Sequence, residues 1–473
     1  MKSILKSKNK LSAFAIIFVL VVVMIINWNT AYWRKDGRVL QSDVTRYYAY
    51  LPAVFIHHDI TLQFFLKNTK SLGKDFYAKR SPTQKLVIIT TYGMSLMYFP
   101  FFIVAHALAP MLGYEATGFS LPYQFAIQMS SWFYLLLGLI FLRKLFLKYF
   151  DDKVVAVVII ATTLCTNLLW YVTGAAAMSH IYSFFLITTY IFLIDSWLEK
   201  ISIWKTIFLG LVVGLIFLIR PTNVIIGILA IFWKVTSWSE LKNRILLLFR
   251  NWQFILLMIC MVALTWVPQL LYWKMMTGYY FYYSYPDEQG FYFNNPQLLS
   301  ILFSWRKGWL IYTPVMAFSL IGIGMLFKIN RHFFWALLIY FLLSWYVLSS
   351  WWSWGYGGGL SIRPYIDSYG IFSFGMAAFL TWAFRQRIWP KISVFILFVF
   401  TLWNGAHNVA RYAHGSLHFD GNTKKTYLEG FFKVERDSNF WYTIKRPDYK
   451  YLKKGIYRYQ GETEEDNEKN SKE

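Results

Sequence analysis

Long apolar segments recur along the whole chain, separated by short polar connections. Most are long enough to cross the hydrocarbon core of a bilayer, which a helix of roughly 20 residues spans, and two shorter ones form a hairpin. The candidate spans are residues 11–29, 122–147, 154–174, 176–198, 204–219, 222–236, 252–274, 308–327, 332–352, 367–384 and 391–409. The pattern predicts an all-α, polytopic membrane protein with about eleven transmembrane helices.

One further apolar segment, residues 86–112, decides which side of the membrane each later loop faces. If this segment does not cross, fifteen basic residues lie in the later cytoplasmic loops and five in the external ones, as the positive-inside rule requires. If it crosses, the ratio is inverted. We therefore predict that it lies in the outer interface or dips into the protein, and Pro100 and Pro110 favour an irregular path.

This topology places the N-terminus in the cytoplasm and three substantial loops outside it, at residues 30–121, 275–307 and 353–366. Residues 1–409 then form one transmembrane domain. The external segment 410–473 follows, and its last residues, GETEEDNEKNSKE, have the composition of a disordered tail. The first external loop is long enough to hold helices that lie in the membrane interface.

Composition supports a membrane protein and excludes several other classes. Only 15% of the residues are charged, against roughly 25% in soluble domains, while 57% are hydrophobic. The formal charge of +23 falls mostly in short loops, where it sets topology, so we predict no nucleic-acid partner. Two cysteines within apolar runs exclude a disulfide framework, and the chain has no phosphate-binding glycine motif of the nucleotide-binding type.

The first external loop contains a candidate catalytic carboxylate. Ser42 and Asp43 precede apolar or aromatic residues at helical spacing, which predicts a helix in the interface. Asp43 could cap that helix, because a carboxylate there accepts unpaired backbone N–H groups. It could also take a proton from an acceptor hydroxyl. Both interpretations stay open from the pattern alone.

Basic residues at two external positions are candidates for binding an anion. Arg306 and Lys307 stand at the start of a predicted span, where the positive end of the helix dipole makes cations costly unless an anion is near. A carrier phosphate or a lipid headgroup would supply that anion. In SSWWSWGYGGGLSIRPYIDSYG, three glycines let the backbone approach a ligand that Arg363 could bind, although an aromatic belt with an anchoring arginine has the same composition.

Other polar residues are weaker candidates. Asp287 and Glu288, in a tyrosine-rich loop, are reserve candidates for an acid or a metal ligand. His414 and His418 have i, i+4 spacing but lack the carboxylate pattern of a zinc protease. The sequence therefore identifies no cofactor, and a divalent metal stays possible although no motif indicates one.

Several runs together resemble the bacterial polytopic glycosyltransferases of the GT-C class. The runs are SDVTRYYAYLPAVFIHHD, YGMSLMYFPFFIVAHALA, AAAMSHIYSFF, SWRKGWLIYTP and SWWSWGYGGGLSIRPYIDSYG. This class includes the aminoarabinose and protein mannosyl transferases, which move a sugar from a polyprenyl-phosphate carrier to an acceptor outside the cytoplasm. The resemblance implies a location in the bacterial cytoplasmic (inner) membrane and a role in the cell envelope.

The resemblance also implies roles for individual residues. The class uses an acidic residue of the first external loop as its catalytic carboxylate; Asp43 matches that position, with Asp36 and Asp59 as nearby competitors. A lysine near the second interfacial segment contacts the donor phosphate in related enzymes. Lys85 is the candidate here, although it lies eight residues before Gly93 and a snorkelling lysine has the same pattern. The aromatic side chains suited to contact the sugar or acceptor belong to Tyr47, Trp354 and Tyr356.

The leading hypothesis is therefore a glycosyltransferase with Asp43 as base and Arg363, Arg306, Lys307 or Lys85 at the donor phosphate. Its acceptor would be a lipid, a glycan or a protein. A transporter or flippase of lipid-linked sugars is the first alternative, and a surface-polysaccharide polymerase or ligase is the second. The candidate polar residues lie at the external ends of spans rather than near the midplane, where transporters commonly place them, and this favours chemistry over transport.

Overall fold

A computed structural model describes residues 9–35, 37–73, 75–284 and 289–462. The described residues are mostly helical and form two compact units. Unit 1 comprises residues 1–149 and 171–285, and unit 2 comprises residues 150–170 and 286–473. Asp36, Asp287 and Glu288, named above as candidate acids, lie outside the described residues.

Unit 1 contains long apolar helices and a set of short helices that belong to the first long loop. Its helices are α1 (Leu11–Thr30), α2 (Asp43–Tyr48), α3 (Tyr50–Phe55), α4 (Gln63–Lys67), α5 (Gly93–Met111) and α6 (Leu121–Phe146). After the excursion into unit 2 come α9 (Ser179–Glu199), α10 (Ile203–Ile219), α11 (Gly227–Phe232), α12 (Trp238–Arg250) and α13 (Trp252–Thr277). Two 3₁₀ helices, Tyr32–Arg34 and Pro221–Ile226, and the strand pair β1 (Lys79–Arg80) and β2 (Leu86–Val87) complete it. The strands are antiparallel, with Lys79 opposite Val87.

Unit 2 begins with α7 (Asp152–Leu164), and α8 (Leu168–Thr173) contains the point where the chain returns to unit 1. Its remaining helices are α14 (Leu298–Phe303), α15 (Trp309–Tyr312), α16 (Met316–Ile329), α17 (Arg331–Ser349), α18 (Tyr369–Phe384), α19 (Ile388–His414), α20 (Lys424–Glu429) and α21 (Tyr449–Leu452). The 3₁₀ helices Arg363–Ser368 and Phe440–Thr443 also belong to it. α19 ends at Gly415, whose φ of 86° is accessible to glycine at little cost.

Seven helices in the described part of the chain are long and apolar enough to cross a membrane. They are the helices that contain Leu11–Arg34, Gly93–Met111, Leu121–Phe146, Ser179–Glu199, Trp252–Thr277, Arg331–Ser349 and Ile388–His414. The other five predicted spans are shorter or interrupted: residues 154–174 and 308–327 are each divided between two helices, residues 222–236 contain a 3₁₀ helix, and α10 and α18 have 17 and 16 residues. The chain is therefore a helical protein with several candidate membrane spans, as the hydrophobic pattern predicted.

The expected irregular path through residues 86–112 is wrong. After β2, α5 runs without interruption from Gly93 to Met111 and includes both Pro100 and Pro110. A proline removes one backbone hydrogen bond, and the apolar packing of α5 against α6 maintains the helix. α5 is itself one of the seven candidate spans, so the expectation that this segment does not cross stays a prediction.

Glycines set the closest helix contacts within each unit. In unit 1, a Cβ added at Gly210 would lie 2.6 Å from Met261 Cβ, and one at Gly214 would lie 2.0 Å from Thr265 Oγ1. The two glycines are four residues apart on one face of α10, so they let α13 approach closely. In unit 2, a Cβ at Gly322 of α16 would lie 1.8 Å from the carbonyl oxygen of Gly375 in α18.

Candidate functional site

Asp43 is the first residue of α2 rather than its cap. The N-cap position belongs to Ser42, whose side chain makes no capping hydrogen bond and whose backbone has φ 52° and ψ −128°. Such a backbone conformation is costly for a residue with a Cβ and commonly occurs at functional positions. The Ser42 N–H donates to Asp75 Oδ2 at 3.0 Å, which fixes the turn. The capping interpretation of Asp43 is therefore wrong, because the chain enters the helix one residue earlier.

The Asp43 carboxylate forms an ion pair with Arg46, one turn along α2. The Asp43 side chain is 33% exposed, so a substrate can reach it, whereas the Arg46 side chain is 11% exposed. Arg46 also lies 4.5 Å from the centre of the Tyr77 ring, which holds the guanidinium in place. Asp43 is thus an accessible carboxylate whose position is fixed by a more deeply buried cation.

α2 is attached to its surroundings through its backbone and its tyrosines. Ser95 of α5 donates its hydroxyl to the carbonyl oxygen of Tyr47 at 2.5 Å. The buried Tyr48 donates to the carbonyl oxygen of Gly118 at 2.6 Å and packs edge-on against Phe102 and Phe119. Tyr47 itself is half-buried. These contacts fix the helix that carries Asp43 against the end of a candidate membrane span.

An apolar cavity of about 340 Å³ begins at the next helix, α3. Its walls come from α3, from the first turns of α5 and from α13, so it lies entirely within unit 1. The lining residues are Tyr50, Leu51, Val54, Phe55, Ile60, Tyr92, Ser95, Leu96, Phe99, Pro268, Gln269 and Tyr272. Ser95 contacts both the cavity and the helix that carries Asp43, because it lines the cavity wall and donates a hydrogen bond to the backbone of α2.

One polar group in this apolar lining carries an unused donor. Gln269 is fully buried, and its Oε1 accepts the Tyr92 N–H at 2.9 Å. Its Nε2 has no hydrogen-bond partner among the residues that the structure describes. A buried amide donor without a partner costs free energy.

Asp59, a competitor of Asp43, is already engaged by the backbone. Its carboxylate accepts the N–H groups of Thr61 and Gln63, each at 2.8 Å, and that of Phe64 at 3.3 Å. Burial acts to raise the pKa of Asp59, but these hydrogen bonds and the Thr61 hydroxyl outweigh it and lower the pKa. Asp59 is therefore a poor general base, because its carboxylate has a lowered pKa and already accepts hydrogen bonds at the start of α4.

Lys85 supports the short hairpin between the strands. Its Nζ donates to the carbonyl oxygen of Met275 at 2.9 Å, near the C-terminus of α13, and the side chain is exposed. The neighbouring Ser81 and Thr83 hydroxyls bond to the Met276 carbonyl oxygen. The lysine thus interacts with a helix C-terminus, where cations are favourable.

In unit 2, the anion beside Arg306 is a carboxylate of the chain itself. Arg306 Nη2 lies 2.8 Å from Asp420 Oδ1, and Arg306 Nε donates to the Asp420 carbonyl oxygen at 3.1 Å. Both side chains are 3% exposed. Tyr449 donates its hydroxyl to the other carboxylate oxygen, and the Trp354 ring lies 5.1 Å from the guanidinium. Asp420 could not be predicted as a site residue from the sequence, because 114 residues separate it from Arg306 and no local motif marks it.

Lys307 is buried beside the glycine-rich loop. Its Nζ donates to the carbonyl oxygen of Gly357. Burial lowers the pKa of Lys307 to about 7; the charge of Asp420 acts to raise it, and the charges of Arg306 and Arg363 lower it further. Arg306, Lys307 and Arg363 therefore lie within electrostatic reach of one another in unit 2.

The glycines of this loop have separate roles. A Cβ at Gly355 would lie 3.2 Å from both Arg306 and Lys307, so this glycine makes room for the cations. Gly357 and Gly359 have φ of 63° and 151°, and the Gly359 N–H donates to the Phe419 carbonyl oxygen at 3.1 Å. Tyr356 has a positive φ of 57° and donates to the Leu348 carbonyl oxygen at 2.9 Å. The loop is fixed in an uncommon conformation.

The C-terminal segment contributes a histidine to this cluster. The ring Nδ1 of His418 accepts the backbone N–H of Asp420 at 3.1 Å, and the backbone N–H of His418 donates to Asn422 Oδ1 at 2.7 Å. Within the described ranges, its buried Nε2 has no hydrogen-bond partner. Burial, and then the positive charge of Arg446, lowers the pKa of His418 to about 4, so the ring is neutral near pH 7.

The predicted site residues fall into the two units. Asp43, Tyr47 and Lys85 belong to unit 1, whereas Arg306, Lys307, Trp354, Tyr356 and Arg363 belong to unit 2. Comparison of the chain with protein-family models and with curated proteins finds no match.

Proposed function

We propose that the protein is an integral-membrane glycosyltransferase that moves a sugar from a polyprenyl-phosphate carrier to an acceptor hydroxyl on the extracytoplasmic side. The observation that carries the proposal is the position of Asp43. An accessible carboxylate stands at the start of a helix whose backbone is bonded to a wall residue of an apolar cavity. This arrangement suits a substrate with a reactive polar head and an apolar tail.

Asp43 would act as the general base. Its carboxylate takes the proton of the acceptor hydroxyl, the oxygen attacks the anomeric carbon, and the bond from that carbon to the carrier phosphate breaks. The phosphate leaves with the bonding electron pair on its oxygen, and the anomeric configuration inverts. Arg46 orients the carboxylate through its ion pair.

The cavity would receive the first part of the carrier chain. Its lining is almost wholly apolar and it lies beside two candidate membrane spans, α5 and α13. Burial of the tail in such a cavity would explain why the enzyme needs a bilayer.

The leaving phosphate would be neutralised by cations of the external loops. Arg363 is half-buried and is the better candidate, since Asp420 already compensates the charge of Arg306. Lys307 and Lys85 are assigned the same role, and Tyr47, Trp354 and Tyr356 are assigned to the sugar or acceptor. The proposal includes the full eleven-span, GT-C-like architecture, with its active site and C-terminus outside the cytoplasm of a bacterial inner membrane.

Transfer of a radiolabelled sugar from polyprenyl-phosphate donors tests the role of Asp43. Membranes contain either the intact protein or its Asp43→Asn form, and donor binding is measured in parallel. We expect Asp43→Asn to lower the transfer rate by a factor of about 10² to 10⁴, the usual contribution of a general base, while donor binding is retained.

Asp59→Asn is the matched control, because it makes the same carboxylate-to-amide change in the same loop. It should retain most of the transfer activity, since asparagine can still accept backbone hydrogen bonds at a cap. Normal transfer by Asp43→Asn would remove Asp43 from the mechanism. Movement of intact donors across the bilayer without any transfer would support a flippase instead.

A further inference from the structure

Helix α12, Trp238–Arg250, differs from every long helix around it. Its sequence, WSELKNRILLLFR, alternates apolar and charged residues, and none of its residues is buried. Ser237 caps it by accepting the Glu240 N–H, and Glu240 in turn accepts the Thr236 N–H at 2.7 Å, so its beginning is well defined. It is too polar to cross a membrane, yet it exposes large apolar side chains.

Those apolar side chains form one continuous stripe. Trp238, Ile245 and Phe249 are separated by seven and four residues, which places them within about 40° of one another on a helix with 3.6 residues per turn. They are 82%, 42% and 72% exposed. Trp252, the first residue of α13, is also exposed.

The other faces of α12 are polar or packed on the protein. Arg244 donates from Nη1 to the carbonyl oxygen of Ala230 in α11 at 3.1 Å, so this side faces unit 1. Lys242 and Arg250 are both exposed. By helical spacing, Lys242 lies beside the apolar stripe and Arg250 lies on the polar face. With Glu240 as its single acid, the helix has a net positive charge.

The position of α12 along the chain identifies the surface that it meets. Only Asn251 separates α12 from α13, a 26-residue helix that is long and apolar enough to span a bilayer. The N-terminus of a spanning helix lies at the membrane surface, so α12 lies there too. A helix with an apolar stripe and flanking cations at that depth suits the headgroup region of anionic phospholipid.

We propose that α12 lies flat in the membrane interface, with Trp238, Ile245 and Phe249 inserted among the acyl chains and Lys242 and Arg250 bound to anionic headgroups. This proposal does not depend on the proposed enzymatic activity. Its partner is the lipid surface itself. A second copy of the chain or a soluble protein on the same stripe would be a different partner, and the experiment below separates them.

Fluorophore depth measurements test the apolar half of the proposal. In the full chain with Cys260→Ser, which leaves only the buried Cys165, a single cysteine is introduced by Phe249→Cys or by the control Asn243→Cys on the polar face. Each is labelled with an environment-sensitive dye in phosphatidylcholine nanodiscs. We expect quenchers attached to lipid chains to act on the label at 249 several-fold more than on the label at 243.

Spin-labelled lipids test the charged half. The ratio of bound phosphatidylglycerol to bound phosphatidylcholine is measured for the intact protein and for the double variant Lys242→Gln, Arg250→Gln. Two cations near the surface should give several-fold selectivity for the anionic lipid, and the double variant should lose most of it. Lys424→Gln with Lys425→Gln in α20 removes the same charge elsewhere and should leave the selectivity unchanged.

Three results would overturn the proposal. Equal quenching of both labels by an aqueous quencher, with none by lipid, would place the stripe in water. Protection of the label at 249 only in nanodiscs with two copies would identify the partner as a second chain. Unchanged lipid selectivity in the α12 double variant would show that Lys242 and Arg250 do not bind anionic headgroups.

Discussion

Among individual residues, the ion pair of Arg306 and Asp420 is the contact whose loss should cost most. Both partners are almost fully buried, so removing one leaves the other charged and desolvated. We expect Arg306→Met to destabilise the protein by about 3–5 kcal/mol. Thermal unfolding in detergent measures the change.

Two controls separate pairing from simple loss of a charge. The double variant Arg306→Met, Asp420→Leu should recover most of the stability, because no uncompensated charge remains. Lys433→Met, which breaks the exposed pair of Lys433 and Asp437, should have little effect. Equal destabilisation by the single and double Arg306 variants would contradict the pairing argument.

The buried amine of Lys307 should make stability depend on pH in one direction. Its pKa in the fold is about 7, below the ordinary value of 10.5, because burial disfavours the ammonium form. Between these values the unfolded chain binds more protons than the folded one, so stability should rise as the pH increases from about 7 to about 10.5. Below about pH 7 Lys307 is protonated in both the folded and the unfolded chain, so the full free-energy cost of burying its charge lowers the stability.

The measurement is the unfolding midpoint against pH for the intact protein and for Lys307→Met. The variant should show a flatter curve over that interval. Lys425→Met, at an exposed position, is the matched control and should keep the slope of the intact protein. A slope that survives in Lys307→Met would assign the pH dependence to another group.

Residue identities pointed to the individual cations but not to the counter-ion of Arg306. Arg306, Lys307 and Arg363 stand in aromatic and glycine-rich motifs that can be recognised locally. Asp420 and His418 come from a segment without a motif, and only folding brings them to the cations. Asp43 is recognisable as a candidate in the sequence, while its pairing with Arg46 and its position after the turn at Ser42 are features of the folded structure.

At the scale of helices, backbone contact between α16 and α18 should make their glycines irreplaceable. Gly322→Ala would place a Cβ 1.8 Å from the Gly375 carbonyl oxygen, and neither backbone can move without separating the helices. We expect a loss of about 3 kcal/mol or more, at or beyond the upper end for overpacked cores. Thermal unfolding or the yield of folded protein reports it.

Gly324→Ala supplies the control on the same helix. A Cβ there would meet nothing within 4 Å, so the substitution should be neutral or stabilise by about 0.5–1 kcal/mol through helix propensity. Equal effects at Gly322 and Gly324 would mean that propensity, rather than helix contact, controls the response.

Helix lengths show where sequence patterns succeed and fail for elements. Uniform apolar runs such as Leu11–Thr30 and Trp252–Thr277 were located to within a few residues. Prolines suggested a break in α5 that packing does not allow, and residues 308–327 are divided between α15 and α16 although their hydropathy is continuous. Hydropathy records the environment of a segment, whereas backbone hydrogen bonding decides where a helix stops.

For the whole molecule, the distribution of basic residues predicts which loops face the cytoplasm. In the Cys260→Ser background, Ser438→Cys should react with a membrane-impermeant maleimide on intact cells, because the C-terminal segment is predicted to be external. Ser239→Cys should react only after permeabilisation. Both positions are exposed in the structure.

The opposite labelling pattern would mean that α5 crosses the membrane and that every later loop changes side. The numbers of lysine and arginine residues in the loops would then not predict the membrane topology of this chain. Labelling of both positions without permeabilisation would require a different set of spans between them.

The sequence by itself predicted a helical protein with several candidate membrane spans, located its longest helices and pointed to Asp43 and the cationic loops. These features depend on local composition, and apolar segments of sufficient length partition into a bilayer whatever their neighbours are. Tertiary structure alone decided the counter-ion of Arg306, the glycine contacts between helices, the apolar cavity with its buried amide and the orientation of α12. Those depend on residues far apart in the chain, which only folding brings together.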